Sequence, residues 1–111
     1  MISCTSAVAQ VDLDSTYRIS SLEEMLVDAQ KRKDKEDLAA IYFLLAEFEA
    51  NNFETPGNSF RYYSNALDYY NILKDSLMIA QVDKAIGLEY LESGYLQDAK
   101  KSFDKSLKYF S

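Results

Sequence analysis

Histidine is missing from this 111-residue chain, and cysteine occurs once, at Cys4. Those shortages exclude imidazole acid–base chemistry, Cys–His nucleophile pairs, the usual zinc sites and any disulfide within the chain. With 3 Gly and 1 Pro, turn punctuation is scarce, which favours a few long helices over many short strands. No segment of the sequence is long and apolar enough to read as a membrane span. The formal net charge is −6, and phosphate binding needs a basic face, so nucleic acid is not an expected partner. What the chain does have is 48% hydrophobic residues, enough to build a core at a length that suits one small domain.

Residues 1–14 carry no periodicity and read as a disordered tail or the remnant of a secretion signal. In "MISCTSAVAQVDLD", Ala7-Val8-Ala9 before Gln10 has the small-x-small form of a signal-peptidase site, although a basic leader and a long apolar stretch do not precede it. Ser3-Cys4 is a poor lipid-attachment box, because Met1 stands where Leu is usual.

From residue 15 to 111 the spacing is helical. Ser20 and Ser21, with Glu23 and Glu24 three residues on, have capping-box form, and Leu22, Leu26 and Ala29 continue a first helix to about Lys33. A second helix carries Leu38, Ile41, Leu45 and Phe48 as one apolar stripe, with Ala39, Ala46 and Ala50 as a small-residue face beside it. Pro56-Gly57 breaks it, and Asn58 or Ser59 is placed to cap a third helix whose inner side is Phe60, Tyr63, Ala66, Leu67, Tyr70 and Leu73. After Lys74-Asp75-Ser76 a fourth helix runs to Gly94, a left-handed C-cap, and a fifth begins near Leu96. Connections this short require antiparallel neighbours.

The segments superimpose on one another. Lys33-Asp34 falls on Lys74-Asp75, Ala39 on Ala80, Leu45 on Ile86 and Ala46 on Gly87. Further on, Ser59 falls on Ala99, Tyr63 on Phe103, Ala66 on Ser106, Leu67 on Leu107 and Tyr70 on Phe110. An offset of about 40 residues is that of a helical-hairpin repeat. Small residues recur where two packed helices come closest, and a larger side chain there would overpack the contact by ~1–3 kcal/mol. Aromatics recur where one hairpin must wedge against the next.

These residues resemble the tetratricopeptide repeat. Its Leu-Gly-x-x-Tyr in the first helix, followed by Ala, a large aromatic and a second small residue, falls on Ile86, Gly87, Tyr90, Ala99, Phe103 and Ser106. The preceding copy fits at Leu45, Ala46, Ser59, Tyr63 and Ala66, with Glu49 in place of the Tyr. The match spans residues 20–111, and "YYSNALDYYNILKDSLMIA" is similar to the arrays that precede the membrane helix of bacterial sensor-kinase and helix-turn-helix regulators. The resemblance implies an all-α, right-handed α-solenoid of about five antiparallel helices, a half repeat plus two repeats. It further implies a non-catalytic protein–protein interaction module that binds a protein or peptide and needs no cofactor. The preferred setting is the extracytoplasmic or periplasmic input part of a bacterial signalling protein, fused to a membrane helix and regulatory domain. A stand-alone cytoplasmic adaptor is the alternative.

In such arrays the first helices line a concave groove. Carried over, the groove positions are Ala40, Phe43, Glu47 and Ala50, then Gln81, Lys84, Leu88 and Leu91; the plainer reading is a half-packed surface exposed to solvent. The carboxylate clamp of chaperone-binding relatives is not expected, since Lys84 is the one cation suitably placed and Leu88 occupies an Asn position. Glu47/Glu49 and Glu89/Glu92 read as a solvated helix face rather than a hydrolytic pair. Most of the 9 Tyr fall at helical spacing and read as packing. The fifth helix keeps Leu96, Phe103, Leu107, Tyr109 and Phe110, which predicts an exposed apolar patch, covered either by a continuation of a longer protein or by self-association with another chain.

Overall fold

The computed structural model describes residues 20–51 and 58–110, and within them the chain is all-helical, with no strand. Helix α1 covers 20–32, α2 Lys35–Ala50, α3 Asn58–Leu73, α4 Ser76–Glu92 and α5 Leu96–Phe110. The tail at 1–14 and the Pro56-Gly57 break lie outside the described residues.

Three of the connections are built the same way. At each, one residue turns into the left-handed region: Lys33 (φ 55°), Lys74 (φ 58°) and Gly94 (φ 86°). Its N–H then bonds back to the carbonyl three residues earlier (Gln30, Asn71, Leu91). The N–H of the following residue reaches the carbonyl five earlier (Ala29, Tyr70, Tyr90). This is the Schellman arrangement, which satisfies carbonyls the helix end leaves open. Gly94 adopts it without a Cβ penalty, as the sequence predicted; the two lysines carry a penalty of about 1–2 kcal/mol. Lys33-Asp34 and Lys74-Asp75, aligned from sequence, thus share backbone geometry as well as spelling.

Each Asp after a left-handed Lys serves two helices. Its N–H closes the preceding helix, and its carboxylate opens the next by accepting from the N–H of Asp37 (onto Asp34) or Met78 (onto Asp75), 3.1 Å in both cases. Asp34 is held below the usual carboxylate range by that Asp37 N–H and, in second place, by Arg32. Arg32 spans Asp28, Asp34 and Asp37 at 2.8, 3.1 and 3.0 Å across the exposed turn.

Ser20 is the first described residue and is already helical, so the expected start of α1 falls at the edge of the described residues. One expected cap is displaced: Ser59 lies inside its helix. It is 2% exposed and donates its Oγ to Glu89 Oε2 of α4 at 2.8 Å. A buried hydroxyl needs a partner, and here it donates to a carboxylate of the neighbouring helix.

Packing follows chain order: α2 on α3, α3 on α4, and α4 on α5. The antiparallel sense of α3 and α4 is fixed by Ser59–Glu89 and by the rings of Phe60 and Tyr90, 4.8 Å apart, which join the start of one helix to the end of the other. The apolar stripe Leu38, Ile41 and Leu45 packs with Leu22 and Ala29 of α1, while Ala39 and Ala46 enter a second cluster with Tyr63, Ala66, Tyr70 and Val82. Helix α2 therefore uses two faces for packing, and a third remains.

The aligned small residues are buried in both hairpins. Ala39 and Ala80 are buried, as are Ala46 and Gly87, Ser59 and Ala99, and Ala66 and Ser106. Hairpins α2–α3 and α4–α5 are thus packed alike, as a repeat requires. On α5, Leu96 and Leu107 are 63% and 60% exposed. Among the described residues no helix is long and apolar enough to cross a membrane.

Candidate functional site

The face of α2 left over from packing looks across at the corresponding face of α4. Phe43 and Glu47 from α2, with Gln81, Lys84, Ala85 and Leu88 from α4, enclose an open concavity of about 320 Å³. It continues into a second, of about 230 Å³, through the shared residues Glu47, Ala85 and Leu88. There Ala50 and Asn51 of α2, Tyr63 of α3, and Glu89 and Glu92 of α4 complete the wall. The two form one trough. Its lining recurs at helical spacing (43, 47, 50; 81, 84/85, 88, 92), so each helix presents a continuous stripe to it.

Of the groove positions expected from sequence, Phe43, Glu47, Gln81, Lys84 and Leu88 line the first concavity, and Ala50 lines the second. Ala40 and Leu91 are exposed and line neither. The sequence reading missed Ala85, Asn51, Tyr63, Glu89 and Glu92. Glu89 and Glu92 had been grouped with each other as chain neighbours, and Glu47 with Glu49. The fold instead sets Glu47 across from Glu89 and Glu92, and Glu49 lines neither concavity.

Tyr63 is the floor of the second concavity. Its ring packs against Phe43 at 5.9 Å between centroids, and the residue is 4% exposed. Burial, and then the negative charges of Glu47, Glu89 and Glu92, push its phenol up to about 12. The group is therefore a hydrogen-bond donor throughout the physiological range. Glu89 is positioned by Ser59, and the Asn51 amide is engaged by the Glu47 carbonyl at 3.0 Å.

The electrostatics of this end are one-sided. Glu47, Glu89 and Glu92 face a single cation, Lys84, and among the described residues none of the three carboxylates has a Lys or Arg within ion-pair distance. Helices α2 and α4 also both end here, at Ala50 and Glu92, and neither has a basic residue in its last turn. The partial negative charge of two helix C-termini thus adds to that of the side chains. No three such ligand groups among the described residues converge closely enough to hold a metal ion, so the charge is spread along the trough.

A wider depression of about 430 Å³ lies beside the α3–α4 turn, against Tyr70, Leu73, Asp75 and Met78. Glu36 also lines it, and the Asp75 carboxylate there is already the cap of α4. The chain matches no protein-family model, no curated protein and no solved structure.

Proposed function

We propose that this chain is a non-catalytic peptide-docking module, a short tetratricopeptide-like right-handed α-solenoid whose α2–α4 trough is the docking groove. One observation carries the reading: groove positions taken from the two repeat copies independently, Phe43 and Glu47 on one side and Gln81, Lys84 and Leu88 on the other, line a single concavity. The trough suits an extended segment of another protein. It is open along its length, has an apolar strip at Phe43, Ala85 and Leu88, and places polar groups at intervals.

Selection of random peptides against the purified chain tests this. Selected peptides are expected to lose at least about tenfold in affinity on Leu88→Gln and to be unaffected by Met25→Gln on exposed α1. Equal affinity for Leu88→Gln and the wild type would place docking elsewhere and end the reading.

The wider setting we propose is the extracytoplasmic input part of a bacterial signalling protein, on the strength of Ala7-Val8-Ala9-Gln10 and the regulator-like spelling of residues 62–80. Mapping the mature N-terminus in the native host by mass spectrometry tests it. Cleavage after Ala9 is expected, and retention of residues 1–10 would favour a cytoplasmic adaptor.

A further inference from the structure

We infer that the segment taken by this trough is cationic: a Lys- or Arg-bearing peptide lying with its basic side chain at the Glu47–Glu89–Glu92 end and an apolar residue on Phe43, Ala85 and Leu88. The inference rests on the docking reading above and adds the partner's chemistry and its direction.

Two features agree on the sign of charge, and a third fits a peptide backbone. The side chains at that end are three carboxylates, none of them in an ion pair among the described residues, against Lys84 alone. Two helix C-termini converge on the same place without a basic residue to offset them. Tyr63 lines the floor of the same concavity, where its phenol O–H is a donor suited to a carbonyl of the incoming backbone. A basic side chain satisfies the carboxylates, and the peptide backbone beside it satisfies the phenol. The carboxylates line a trough and do not converge, which suits an extended polymer better than a compact divalent ion. An acidic segment would meet like charge at the three carboxylates and at both helix ends.

Fluorescence anisotropy with short labelled peptides tests the inference. The panel shares one Leu/Ala frame and carries Arg, Gln or Glu at the variable positions; spermidine is added as a competitor. The Arg peptide is expected to bind about tenfold tighter than the Gln peptide, the Glu peptide more weakly than either, and the preference to shrink with added salt. Combining Glu47→Gln with Glu92→Gln should remove most of the preference, whereas Lys84→Gln should tighten the Arg peptide about two- to threefold. Circular dichroism melts of each variant confirm that it is folded. Equal binding of the Arg, Gln and Glu peptides, all abolished by Leu88→Gln, would overturn the charge assignment and leave the groove intact. No binding by any peptide would overturn both. Arg-peptide binding that survives Leu88→Gln, or that spermidine displaces completely, would mean diffuse counterion attraction and would also overturn the assignment.

Discussion

The Cβ that Gly87 lacks would sit 2.8 Å from Cε1 and 2.9 Å from Cδ1 of Phe103, so the ring of α5 lies directly on the backbone of α4. In the preceding hairpin Ala46 holds the equivalent position and is fully buried. Alanine is thus tolerated in one copy and excluded from the other by the placement of one ring. Gly87→Ala improves intrinsic helix propensity by about 1 kcal/mol, but must displace Phe103. The expected net result is a destabilisation of roughly 1 kcal/mol, rising to about 3 kcal/mol for Gly87→Leu. Combined with Phe103→Leu, Gly87→Ala should be nearly neutral or stabilising. A double-mutant cycle by urea denaturation measures the coupling, and additive effects would show that ring and glycine are not in register.

The turn at Lys74-Asp75 makes two opposed predictions within adjacent residues. Lys74 pays for its left-handed backbone (φ 58°), so Lys74→Gly is expected to raise stability by up to about 1 kcal/mol, after part of the gain is offset by the freer unfolded chain. Asp75→Ala removes the acceptor of the Met78 N–H and is expected to lower stability by about 0.5–2 kcal/mol. Thermal melts of the two variants should move in opposite directions.

The positions of α2 to α5 and their buried small residues were legible in the sequence because both follow from local regularity. A helix face recurs every three or four residues, and the pairs Ala39/Ala80, Ala46/Gly87, Ser59/Ala99 and Ala66/Ser106 recur at an offset of about 40 where only small side chains fit. Features decided by a second element were not legible. Ser59 has the composition of a cap, and only the proximity of α4 turns its hydroxyl to Glu89. Glu47 and Glu49 are neighbours in the chain but face different surroundings on the helix. Glu47 belongs with Glu89 and Glu92, some 40 residues away, because α2 and α4 run side by side. Tyr63 was read as packing, and it does pack; that it also lines the trough is set by how α3 sits against α2 and α4.

Asp83 is a further buried group that no local pattern signals. It is 7% exposed on α4, and burial raises its carboxyl above the ordinary range, opposed by Lys105 of α5. As pH rises through the ordinary aspartate range the unfolded chain ionises first and the folded chain lags, so stability falls over that interval and the loss persists at neutral pH. Asp83→Asn should therefore be more stable than the wild type at pH 7, and the advantage should shrink as the pH is lowered below the unfolded-state value. Denaturation midpoints of both proteins between pH 3 and pH 7 measure it. An advantage that does not change with pH would mean the gain comes from packing and not from the charge.

Tyr63 makes the corresponding prediction at the alkaline end, and it reports on the trough itself. The ordinary phenol value is 10.0, and the folded chain holds Tyr63 at about 12, first because the ring is buried and then because Glu47, Glu89 and Glu92 surround it. Between about pH 10 and about 12 the unfolded chain loses this proton while the folded chain keeps it, so stability drains away across that window. Tyr70, also raised by burial, contributes a similar loss, so the useful quantity is the difference between the wild type and Tyr63→Phe. That difference should be constant below pH 9 and should then move in favour of the phenylalanine variant. Neutralising the trough with Glu47→Gln and Glu92→Gln removes the smaller electrostatic part of the shift, and should narrow the window from its alkaline side without abolishing it. If the two substitutions leave the alkaline profile unchanged, the carboxylates do not face the phenol, and the negative potential assigned to that end of the trough would have to be given up.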